Sequence, residues 1–80
     1  MNTVRRIEKI EMLHRLIRSE HTGNSLELSV RLGIAQRTVQ AYLQELRDYG
    51  ADISFDSIRR TYIYKNKFDL KFVFEVTVTV

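Results

Sequence analysis

Ala35-Gln36-Arg37-Thr38-Val39-Gln40-Ala41-Tyr42-Leu43-Gln44-Glu45-Leu46 is the stretch on which the fold turns. At helical spacing Val39, Leu43 and Leu46, with Tyr42 beside them, make an apolar stripe, while Gln36, Arg37, Gln40, Ala41 and Gln44 fall on the opposite side. The stripe needs a core. The other side offers amides and a guanidinium, the groups that match the donor and acceptor edges of bases in a major groove wide enough to admit a helix. Taken alone, the stretch is equally an amphipathic surface helix with a solvated outer face, so its neighbours decide.

Just upstream, Asn24-Ser25-Leu26-Glu27 reads as a helix start, with Asn24 as N-cap and Glu27 in capping-box position. Leu28 and Leu32, with Leu26 or Val30, are expected to supply its apolar contacts, Gly33 to take the left-handed conformation that stops it, and Ile34 to plug the core. A short helix, a glycine-containing turn and a second helix make the helix-turn-helix pattern. Before it, from Thr3 to Glu20, Ile7, Ile10, Leu13 and Ile17 recur at three and four residues with Leu16 on the flank. The gaps hold Arg5, Arg6, Glu8, Lys9, Glu11, Arg15 and Arg18. This predicts an amphipathic helix, with Glu11 and Arg15 paired at i,i+4 and Gly23 ending it. His14 and His21 lie two turns apart near the edge of the stripe. A stable metal site needs three or four ligands, and no thiol or carboxylate stands at ligand spacing, so no metal is expected. The reading is instead a partly buried His14 and a His21 favoured by the negative helix end.

Downstream, Gly50 closes the third helix, expected over 35–48. Ala51, Ile53 and Phe55 then alternate with Asp52 and Ser54, Asp56 to Arg60 interrupt, and Thr61-Tyr62-Ile63-Tyr64 resumes a β-rich run. The pattern is a hairpin whose tip carries Arg59 and Arg60, with Lys65 and Lys67 following. From Phe68 to Val80, Phe68, Leu70, Phe72, Phe74, Val76, Val78 and Val80 occupy one face of a third expected strand. Thirteen extended residues span roughly 43 Å at about 3.3 Å each, longer than the roughly 30 Å globule that eighty residues form. A long bare apolar edge invites aggregation. The expectation is therefore a homodimer in which Phe74, Val76, Val78 and Val80 find cover in a second chain.

Eighty residues make one domain, here 1–80, with 44% apolar and 29% charged residues as in an ordinary globular chain. The net charge of +3 is compatible with a nucleic-acid partner without specifying one. Residues 31–67 hold seven Lys or Arg against Glu45, Asp48, Asp52 and Asp56. With no cysteine there is neither a disulfide framework nor a thiolate metal site. The charged start and the lack of a long apolar run lead to the expectation of a cytoplasmic protein with no membrane span.

The run Leu28-Ser29-Val30-Arg31-Leu32-Gly33-Ile34-Ala35-Gln36-Arg37-Thr38-Val39, then Leu43-Gln44-Glu45-Leu46, then Gly50-Ala51-Asp52-Ile53-Ser54-Phe55-Asp56 and Tyr62, resembles the winged helix-turn-helix of DeoR-type and WYL-domain bacterial transcription regulators. The likeness covers about residues 7–64, and Arg37-Thr38 after Gly33-Ile34 is its most specific piece. It implies three helices and a hairpin wing, which with the C-terminal strand read from the alternation make an α+β winged helix-turn-helix, and it implies a small DNA-binding regulator. The chain departs from the pattern at three places. Ala35 replaces a capping serine, Ala41 an arginine, and Arg59-Arg60 stands at the wing tip where glycine is frequent. Where such regulators carry an effector-sensing domain after the wing, the expectation here is the strand from Phe68 to Val80.

On this reading Thr38 and the first amides of the third helix hold a phosphate. Arg37 meets a phosphate or a guanine edge, and Gln36, Gln40 and Gln44 probe bases, adenine being the geometric match for glutamine. Arg59 and Arg60 enter the minor groove or grip its phosphates from the wing. The partner is double-stranded DNA, bound by a dimer on two half-sites. No cofactor, small-molecule site or catalytic set is expected, since no nucleophile, base and acid fall together and no glycine-rich phosphate loop is present. A different function class fits the same sequence: a winged-helix module that docks a protein through the third helix or the terminal strand.

Overall fold

The computed structural model describes residues 3–69. Their order is α1 (Thr3–Arg18), α2 (Ser25–Leu32), α3 (Gln36–Asp48), β1 (Ile53–Asp56) and β2 (Thr61–Tyr64). Three helices followed by an antiparallel hairpin make an α+β fold in the layout of a winged helix-turn-helix. The expected strand 68–80, with its dimerisation residues Phe74, Val76, Val78 and Val80, lies outside the described residues except for Phe68 and Asp69.

All three helices close by the same hydrogen-bond pattern, in which two amides fold back onto the last turn around a left-handed residue. At α2 that residue is Gly33 (φ 65°), with Gly33 N donating to Val30 O and Ile34 N to Ser29 O. At α3 it is Gly50 (φ 108°), with bonds to Arg47 O and Leu46 O. At α1 it is not glycine. Glu20 takes φ 58°, Glu20 N donates to Ile17 O (3.1 Å) and His21 N to Leu16 O (3.1 Å). The expectation that Gly23 ends α1 is thus corrected. Gly23, also left-handed, leads into α2, where a Cβ would stand 2.7 Å from Glu27 Oε2.

Half of the predicted capping box forms. Asn24 Oδ1 accepts from Glu27 N (2.8 Å), but the Glu27 carboxylate turns away to Arg60. Leu26 and Val30 do not supply core contacts: they are 59% and 76% exposed. A helix of two turns buries a single side, and Leu28, Ser29 and Leu32 already fill it.

The core is built from Ile10, Leu13 and Ile17 of α1, Leu28 and Leu32 of α2, Val39, Tyr42, Leu43 and Leu46 of α3, and Ala51 and Ile53. Leu16, Ile34, Tyr62, Tyr64 and Phe68 pack against its edge. Full burial of each large aliphatic side chain contributes about 1.5–3 kcal/mol. Arg6 ties the start of α1 to α3, pairing with Glu45 and lying 5.9 Å above the Tyr42 ring.

The hairpin register sets Ile53 opposite Tyr64 and Phe55 opposite Tyr62, so these four share a face. Ile53 reaches the core, while Phe55 remains 41% exposed and meets Tyr62 edge-on. Behind the hairpin, Thr22 and Thr61 are fully buried. The Tyr62 amide donates to Thr22 Oγ1 (2.8 Å), and the Thr22 amide donates to Thr61 Oγ1 (3.1 Å). These bonds fasten β2 to the α1–α2 turn.

His14 is more deeply buried than its place on the stripe suggests. Its Nδ1 lies 2.7 Å from the Tyr64 hydroxyl, and the ring packs against Tyr64 and Phe68. His21 is exposed and carries no metal partner set. Among the described residues no cluster of three or more His, Asp or Glu could hold a metal ion, and no helix is long and apolar enough to cross a membrane.

Candidate nucleic-acid interface

The faces of α3 divide as its spacing demands. Val39, Tyr42, Leu43 and Leu46 are buried, whereas Gln36, Arg37, Gln40, Ala41 and Gln44 are exposed. The helix is held from behind by α2 across the turn and from below by the Arg47 guanidinium, which donates to Ile53 O (3.3 Å). Its outer surface is therefore presented by a fixed scaffold.

The exposed side chains differ in how free they are. Gln36 Nε2 donates to Ser25 Oγ (2.7 Å), tying it to the start of α2, and Gln44 Nε2 donates to Asp48 Oδ1 (3.0 Å) one turn on. Both bonds are solvent-exposed and exchangeable with a base edge. Gln40 and Arg37 have no side-chain partner among the described residues, so they are the most available groups for a ligand.

At the helix start Ala35 has extended backbone (φ −66°, ψ 149°), the conformation of a capping residue, but offers no side-chain acceptor. The Thr38 amide already donates to Ala35 O (2.9 Å), and the Thr38 side chain is half-buried. The amides left for an incoming anion are thus those of the first turn before Thr38.

The wing arginines are brought to a different place from the one their sequence suggests. Arg59 donates to both carboxylate oxygens of Glu20 (3.0 and 3.1 Å), and Arg60 pairs with Glu27 (3.2 Å). The hairpin tip is folded toward the α1–α2 turn, and its two cations are matched by two acids. The turn itself is organised by Asp56, whose Oδ1 accepts from the amides of Ile58 and Arg59, and Arg60 takes φ 56° where glycine would be unstrained. Ile58 at the tip is 92% exposed. Nothing in the local sequence marks Ile58 as the tip or Glu20 and Glu27 as partners of the wing arginines. Glu27 was visible as a capping residue, but nothing local could announce an arginine 33 residues away.

Away from α3, an open depression of about 320 Å³ lies between Ile17, Arg18, Tyr64, Lys67, Phe68 and Asp69. It brings no nucleophile next to a base. No family model, curated protein or solved structure matches this chain.

Proposed function

We propose that this domain is a small sequence-specific regulator that binds double-stranded DNA and reads the major groove with the helix 35–48. The observation that carries the reading is the division of α3, with Arg37, Gln40 and Gln44 exposed on the outer surface and four buried side chains fixing the helix behind them. Arg37 serves a phosphate or guanine, and the glutamines serve adenine edges. The domain is non-catalytic, acts in the cytoplasm, and belongs with the DeoR-type and WYL-domain regulators its sequence resembles. It works as a homodimer joined through Phe74, Val76, Val78 and Val80, on half-sites about one helical turn apart or a multiple of it. Sedimentation as a monomer at micromolar concentration would remove the dimer.

A second reading has its own support. The outer face of α3 carries one free cation, Arg37, and the wing arginines are neutralised, so the surface is close to neutral. A near-neutral helix backed by a rigid core also suits a protein partner. A mobility shift with duplex DNA at about 50 and 200 mM salt separates the two. Phosphate-driven binding falls steeply with salt, while absent or salt-insensitive binding selects the protein partner.

A further inference from the structure

Most cations of the described residues are already occupied. Arg6 pairs with Glu45, Arg15 with Glu11, Arg18 with Asp69, Arg59 with Glu20 and Arg60 with Glu27. Arg31 and Arg47 donate to the carbonyls of His21 and Ile53. Among the described residues this leaves Arg5, Lys9, Arg37, Lys65 and Lys67 with neither a carboxylate nor a carbonyl partner.

Lys9 and Arg37 stand at the turn between α2 and α3, and Arg5 precedes Lys9 by four residues on α1. Arg5 and Lys9 stand at i,i+4 on α1, hence on one side of that helix and about 6 Å apart along its axis. Lys9 is half-buried, and its Nζ lies 3.9 Å from where a Cβ on Gly33 would sit. Its stem therefore runs along the body and delivers the ammonium to the turn that leads into α3. Arg37 stands in the first turn of α3. Glu8, the nearest acid in sequence, is rotated about 100° around α1 from Lys9 and joins no ion pair among the described residues.

We infer that Arg5 and Lys9, with Arg37, form a phosphate grip on the backbone of a DNA duplex, so that the domain is anchored from the α1 side of the recognition helix and not from its wing. The inference rests on the reading of the domain as a duplex binder and adds where its electrostatic contacts lie. An ion-paired arginine must lose its carboxylate before it gains a phosphate, whereas an unpaired one releases a DNA counterion at no such cost. Unpaired cations are therefore the ones that set the salt dependence.

The test is fluorescence anisotropy of the full chain on a labelled random-sequence duplex, across salt, for R5A, K9A, K9Q, R59A, R60A and K67A. Lys9→Gln keeps most of the stem packing should Lys9→Ala lower the melting temperature. Each of Arg5 and Lys9 should make the slope of log K against log salt shallower by about 0.9. Arg59, Arg60 and Lys67 should leave it unchanged. The inference is overturned if the wing variants flatten the slope and the α1 variants do not, or if Lys67→Ala acts as strongly as Lys9→Ala. Either result leaves duplex binding intact. A wild-type chain that binds no duplex overturns the underlying reading as well.

Discussion

Thr22 and Thr61 face each other with hydroxyl oxygens 3.1 Å apart, and no solvent reaches either side chain. Each oxygen accepts one backbone amide, and each hydroxyl proton has a carbonyl in reach: Gly23 O for Thr22 (2.7 Å) and Tyr62 O for Thr61 (3.0 Å). Every polar atom of the pair is thereby satisfied.

Valine in place of either threonine keeps the shape and strands an amide. Thr22→Val leaves the Tyr62 amide without an acceptor, and Thr61→Val does the same to the Thr22 amide. Each is expected to cost about 1–3 kcal/mol, the usual penalty for a buried unsatisfied donor. Urea denaturation measures it. A loss within error for both would mean that water enters the site.

Ala35 already has the backbone of a helix cap and lacks only the oxygen. Ala35→Ser should stabilise the domain by about 1 kcal/mol, which raises the melting temperature by about 4–8 °C for a domain of this size. Thermal unfolding followed by circular dichroism checks this. An unchanged or lower midpoint would show that Ala35 is held in place by something other than its missing cap.

Burial holds the His14 imidazole below its ordinary 6.5, with the nearby Asp69 carboxylate offsetting part of the effect. The same surroundings push the Tyr64 hydroxyl above its usual 10.0, so it stays protonated beside Nδ1. Below about pH 6.5 the unfolded chain takes up a proton that the folded chain refuses. Stability is therefore complete above that pH and declines as the pH falls through it toward the folded value. Melting temperatures from about pH 7.5 to 5 should show the decline, and His14→Gln should flatten it. An identical profile for the variant would assign the acid sensitivity to other groups.

The two faces of α3 should respond differently to truncation. Leu43→Ala opens the core and is expected to cost roughly 2–5 kcal/mol. Arg37→Ala should leave the melting temperature within about 2 °C, as for an exposed surface change, while weakening duplex binding. Equal losses of stability would mean that the helix is rotated from the position described.

The parts of this fold that were legible are those written in local periodicity. Val39, Tyr42, Leu43 and Leu46 announce the buried side of α3 by spacing alone, and Gly33 and Gly50 announce the helix ends because the left-handed residue is the cheap one there. Glu20 hides the end of α1, since a glutamate in that role is stabilised by its tertiary setting and by Arg59. Leu26 and Val30 misled because a two-turn helix cannot bury two rows. The same limit governed the site. The outward glutamines follow from one helix, but the destiny of Arg59 and Arg60 depends on acids 39 and 33 residues away, and no short-range pattern encodes such a meeting.

The hydroxyl of Thr22 has a consequence beyond stability. It meets the Tyr62 amide on the side of β2 that faces away from β1, where a foreign strand would otherwise add by main-chain pairing. A side chain thus stands in for the missing carbonyl and seals that rim of a two-stranded ribbon. Recruitment of further strands is steered away from this rim, toward the opposite one along Phe55.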